Sequence, residues 1–154
     1  MHTPMKTMRN TLLIGLTAWA AAFASAEDKE GITDKAKLQG EWMMVSGERD
    51  GQPFPDEFRK GFKRVAKGDE TTVTMGDQLF LKAKFTLDPS KKPKTIDYSV
   101  TGGTYAGNRQ LGIYELNGDT AKFCFSIPGR ARPDDFSTKL QDGRTLSVWK
   151  HAKQ

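Results

Sequence analysis

Few side chains in this chain are of a type that could do chemistry, and their spacing works against most reactions. The two histidines are His2 and His151. His2 falls inside an N-terminal leader, which leaves one imidazole near the C-terminus. A Ser-His-Asp relay or a multi-histidine metal site is beyond its reach, and a mobile tail is its expected setting. Cys124 is the lone cysteine, so no internal disulfide can form, although an oxidising compartment would permit one. It stands between Phe123 and Phe125; with both rings toward a core, its thiol shares the opposite face with Lys122 and Ser126. No histidine or helix N-terminus is beside it to favour the thiolate, so it reads as a small, semi-buried residue.

The carboxylate pairs Asp56-Glu57 and Asp134-Asp135 carry groups suited to acid-base work or calcium ligation, but sequence neighbours rarely converge on one substrate. Asp56 and Glu57 suit the start of a helix, and Pro133-Asp134-Asp135 suits a turn or short helix before Phe136. Gly102, Gly103 and Gly107 precede no helix and read as a hairpin loop, not as a phosphate cradle. No catalytic residue, metal, nucleotide, haem or other cofactor is therefore expected. An enzyme is the third reading, behind a binding module and an interaction module.

The elements that must position these residues are strands. From Leu79 to Leu87, Leu79, Leu81, Ala83, Phe85 and Leu87 alternate with Lys82, Lys84 and Thr86, the period of a half-buried strand. Similar segments run over 38–46, 62–67, 71–75, 95–100, 110–116, 120–127 and 145–150, with Gly-Asp, Asp-Gly and Asn-Gly pairs between several of them. Asn117-Gly118 is expected to supply the positive φ angles of a type I′ hairpin. One brief helix is predicted between the first two strands, where Pro55 sits in the first turn, Asp56 and Glu57 favour the N-terminus, Arg59 and Lys60 the C-terminus, and Gly61 caps. The biased stretch Asp88 to Lys94 reads as a rigid, solvated connection. Eight sequential antiparallel strands close most economically into an up-and-down barrel, which removes exposed edges; a two-sheet sandwich is the alternative.

Ahead of the strands, Lys6 and Arg9 precede an apolar run from Thr11 to Phe23, and Ala24-Ser25-Ala26 forms an A-x-A cleavage site. Residues 1–26 thus read as a signal peptide, 27–37 as a polar leader with a short helical turn at Thr33 to Lys37, and 38–154 as one β-barrel domain. The uncharged run Thr11 to Ala26 covers 16 residues, fewer than the ~18 needed to span a membrane. No cysteine precedes Cys124 to accept a lipid, so an exported product, periplasmic or extracellular, without stable membrane insertion is expected. Removal of the leader leaves 22 basic and 19 acidic residues, a net charge of +3. That balance, without a clustered basic face, does not suit nucleic acid, and a monomer is expected.

Gly40-Glu41-Trp42 resembles the G-x-W element that opens lipocalin-type barrels. Taken with LQGEW at 38–42, SGERDGQPFP at 46–55, KGD at 67–69, FTLDPSKKPKTID at 85–97 and LGIYELNGDTAKFCFSIPGRARPDDFS at 111–137, the chain resembles an uncharacterised lipocalin-like domain family common in exported planctomycete proteins. The resemblance spans nearly all of the chain after the leader. It implies an all-β, eight-stranded lipocalin-like barrel with Trp42 plugging its base, and it carries no catalytic residue across. Lipocalins often set a last-strand arginine over that tryptophan; the cations available here are Lys150 and Arg144.

Alternation assigns Trp42, Met44, Phe85, Tyr98, Ile113, Phe123 and Phe125 to the barrel interior as candidate ligand contacts, with Val73, Leu81, Ile96, Leu111, Leu146 and Val148 on the same face. The expectation is an exported, non-enzymatic binding module for a small apolar or amphipathic ligand. The alternative is an envelope structural or protein-interaction module whose interior is fully packed and whose partner is an envelope protein.

Overall fold

In a computed structural model, residues 26–152 are described. The expected signal peptide lies outside them apart from Ala26. The elements are α1 (Ala26–Leu38), β1 (Gly40–Arg49), β2 (Gln52–Pro53), α2 (Asp56–Lys60), β3 (Phe62–Lys67), β4 (Glu70–Met75), β5 (Gln78–Asp88), β6 (Lys94–Gly103), β7 (Arg109–Asn117), β8 (Thr120–Ser126) and β9 (Arg144–His151). β1 and β3 to β9 pair antiparallel in chain order, and β9 returns to β1. The result is a closed eight-stranded barrel, with β2 a short ribbon on the end of β1 and α2 the brief helix between the first two barrel strands. No helix among the described residues is long and apolar enough to cross a membrane.

The strand spans follow the alternation, but the turn chemistry differs from expectation. Asn117 pairs with Thr120, so the hairpin loop is Gly118-Asp119, with φ of 59° at Gly118. A positive φ at the first loop residue alone fits a type II′ turn rather than the I′ turn expected of Asn117-Gly118. Gly68-Asp69 and Gly76-Asp77 close their hairpins in the same way.

Two strands turn opposite faces inward from those the alternation assigned. Gln110, Gly112 and Tyr114 face the interior of β7, which places Leu111 and Ile113 on the outer face; on β9, Ser147 and Trp149 face inward and Leu146 and Val148 outward. Segment 127–143 is the cause. It folds over the outer side of the sheet, burying Pro133 and Cys124 and leading Ser126 Oγ to donate to the Ala131 carbonyl at 2.6 Å. With both faces of β7 and β8 covered, apolar residues serve inside and out, and period two no longer distinguishes them. Gly112 fits the inward register because a Cβ there would lie 2.5 Å from the Phe125 ring.

Bulges make a third departure. Val73 pairs with Leu81 and Thr74 with Leu79, so Phe80 is the extra residue; it turns toward Phe62, ring centroids 5.0 Å apart, while Leu79 packs against Gly102 outside. The expected inward Leu79 is thereby replaced by Phe80.

One end of the barrel is closed. Here the polar leader lies within the 13-residue helix α1 rather than holding only a helical turn at Thr33 to Lys37. Its Leu38 and Asp34 are buried, Trp42 Nε1 donates to the Leu38 carbonyl at 2.9 Å, and Asp34 accepts from Tyr114 and Lys94. His151 is no mobile tail residue: it ends β9, meets Trp42 edge-on at 4.7 Å, and sets its ring nitrogens 3.0 Å from the carbonyls of Gln39 and Ala152. The barrel base is thus sealed by Trp42, His151 and α1.

Candidate ligand-binding site in the barrel interior

Above that seal the interior is not filled. A cavity of about 330 Å³ runs from mid-barrel to the mouth, within the range of small-ligand pockets. Phe62 from β3, Phe80 from the β5 bulge, Tyr98 from β6, Phe125 from β8 and Trp149 from β9 form much of its wall. At the mouth stand Phe54, which follows β2, and Phe58 of α2, whose rings lie 5.6 Å apart; Phe58 also meets Phe62 edge-on at 4.9 Å. Across the mouth Arg49 donates to the Tyr105 hydroxyl at 3.4 Å. α2 buries no residue completely, so this end is covered by aromatic rings and a single helical turn rather than by a packed layer.

Arg64 is the unusual member of the lining. Period two from Phe62 directs it inward on β3, and it is only 6% exposed. Its Nη1 donates to Thr71 Oγ1 at 3.1 Å and to the Tyr98 hydroxyl at 2.6 Å. Its guanidinium carbon lies 4.6 Å from the ring centroids of both Phe123 and Trp149. Its Nε is buried with no hydrogen-bond partner, and no carboxylate among the described residues pairs with it. An arginine keeps its charge in any protein environment, and burying one without a counter-ion costs several kcal/mol, of which each desolvated cation-π contact returns about 2.

Neighbouring polar groups carry unused capacity too. The Tyr98 hydroxyl accepts from Arg64 and has no acceptor for its own proton among the described residues. Trp149 Nε1 spends its one N–H on Ser147 Oγ at 2.8 Å, which leaves the Ser147 hydroxyl its own proton to give, and Gln110 Nε2 uses one of its two N–H groups on the Ser126 carbonyl at 3.2 Å. The cavity therefore has an apolar aromatic wall and a concentrated set of donors at its depth.

No protein-family model, curated protein or solved structure matches this chain. The geometry of the cavity carries the functional reading.

Of the candidate interior residues, Met44, Tyr98 and Phe125 line the cavity. Trp42 lies in the seal, Phe85 and Phe123 pack in the core, and Ile113, contrary to the expected interior position, is buried on the outer face opposite Cys124. The two cations available to cover Trp42 are engaged elsewhere: Arg144 pairs with Asp134 and Asp135 at 3.2 and 3.3 Å, and Lys150 lies 3.9 Å from Asp119. The Asp134-Asp135 pair is thus engaged by Arg144, and Asp56 by Arg59 at 3.5 Å. Cys124 is fully rather than semi-buried, 3.8 Å from the Ser137 carbonyl, and burial pushes its thiol up to about 11. Arg64, Phe54, Phe58 and Trp149 escaped sequence reasoning. The alternation of Phe62, Arg64 and Ala66 did point Arg64 inward, but a charge at an inward position argues against a core until closure of the barrel supplies the rings around it.

Proposed function

We propose that this chain is an exported lipocalin-like binding module that takes one small amphipathic molecule into its barrel. The cavity of about 330 Å³, walled by aromatic rings and open between α2 and the β6–β7 loop, carries the reading. Its lining offers rings, hydroxyls, an amide and guanidinium groups, which orient and hold a molecule. The leader at residues 1–26 supports export, and the G-x-W element on β1 with Trp42 in the base seal supports the lipocalin-like assignment.

Native mass spectrometry of protein purified from its own host should show a co-purified small molecule. Titration with 1-octanol should give a saturable change in Trp149 fluorescence in a Trp42→Phe background. No extra mass and no saturable response would overturn the reading. A protein-interaction module is then the better account, and Met43, Val45 and Val65, exposed together on the outer face of β1 and β3, favour that second reading.

A further inference from the structure

We propose that the cavity selects a monocarboxylate with a short apolar body, its carboxylate held by Arg64 and Tyr98 and its body lying among Phe62, Phe80 and Phe125. This rests on the binding-module reading and names the class of ligand.

Three observations converge on a carboxylate. Arg64 has no counter-ion among the described residues, so the interior carries an uncompensated positive charge. In a medium less polarisable than water, an anion entering beside it gains more than it would at the surface. Donors are also left over: Arg64 spends Nη1 on Thr71 and Tyr98 while its Nη2 makes no hydrogen bond among the described residues, and the Tyr98 hydroxyl has a proton to give. A guanidinium edge with a phenol beside it matches the two oxygens of a carboxylate in one plane. A phosphate dianion would bring a second charge and a third oxygen that this set leaves unmatched. Finally, Arg49 at the mouth adds a second guanidinium to the lining, which contains no acidic side chain among the described residues. The path inward is thus positive along its length, which favours anion entry.

Size narrows the body. One liquid water occupies ~30 Å³, so a cavity of about 330 Å³ suits a molecule of about ten non-hydrogen atoms. Octanoate has that size, and the rings of Phe62, Phe80 and Phe125 supply the apolar contact for its chain.

The test compares sodium octanoate, 1-octanol, octylammonium and inorganic phosphate by isothermal titration of the purified protein, its Arg64→Met variant and its Tyr98→Phe variant. Charge-assisted hydrogen bonds of ~1.5–3 kcal/mol set the scale, so octanoate should bind at least roughly tenfold tighter than octanol, with octylammonium weakest and phosphate without saturable heat. In Tyr98→Phe, which removes one hydroxyl and keeps the ring, the preference for octanoate over octanol should shrink about tenfold. Arg64→Met, where its circular dichroism matches the parent, should abolish the preference.

Equal binding of octanol and octanoate, competition by phosphate as strong as by octanoate, or an unchanged preference in Tyr98→Phe would overturn the carboxylate assignment and leave the cavity reading intact. Absence of binding by all of the octyl compounds would overturn both.

Discussion

Asp34 Oδ2 accepts a hydrogen bond from the Tyr114 hydroxyl at 2.7 Å, tying the helix that precedes the barrel to a strand 80 residues later. Lys94 Nζ meets the same oxygen at 2.9 Å and Glu30 at 2.8 Å, so one buried carboxylate joins α1, β6 and β7. Asp34→Ala would leave the buried Tyr114 hydroxyl without its acceptor and Lys94 with Glu30 alone. The expected loss is about 2–3 kcal/mol, read by urea denaturation, and Tyr114→Phe should cost about 1. Near-parental stability of Asp34→Ala would show that α1 does not seal the barrel.

Alkaline pH should weaken the fold. Burial raises Tyr114, with the Asp34 hydrogen bond adding to it, and burial pushes Cys124 up to about 11 from an ordinary value of 9.0. Both groups stay protonated in the folded state at a pH where the unfolded chain has begun to release the proton. Their contribution is therefore fully present below about pH 9 and declines as pH rises toward and through the folded values. Unfolding free energies measured from pH 7 upward should be flat and then fall, and Cys124→Ala should fall less steeply in the early part. In the folded protein Cys124 should resist thiol reagents at neutral pH and react on unfolding.

Gly112→Ala should disturb the cavity from its β7 wall. Its Cβ would come within 2.5 Å of the Phe125 ring, which is itself stacked on Tyr98 at 4.2 Å. The ring must shift, at an expected cost of about 1–3 kcal/mol, and octanol affinity should drop with it. Adding Phe125→Leu should recover part of the stability, because a smaller side chain frees the space; a double variant no better than the sum of its parts would place the strain elsewhere.

Export makes a simple chemical claim. Protein recovered from the medium or periplasm of a secreting host should begin at Glu27 on N-terminal sequencing. An intact Met1 on the exported protein would show that Ala24-Ser25-Ala26 is not cut.

Strand spans, hairpins and the short α2 helix are legible in the amino-acid sequence because their causes are local. Alternation along Phe62 to Lys67 or Lys82 to Thr86 survives wherever one face meets solvent, and a glycine at a hairpin loop acts through its own φ. The faces of β7 and β9 were decided only in three dimensions, since segment 127–143 buries Ile113 and Cys124 from outside with groups remote in sequence. The helix over the polar leader has the same origin: its composition gives little reason to fold alone, and Asp34 and Leu38 become buried only against a finished barrel. Arg64 marks the boundary most clearly. Its inward direction was written in the period of β3, but its isolation from the carboxylates of the described residues depends on which side chains eight closed strands carry to the axis, a distance property that spacing along a chain does not contain.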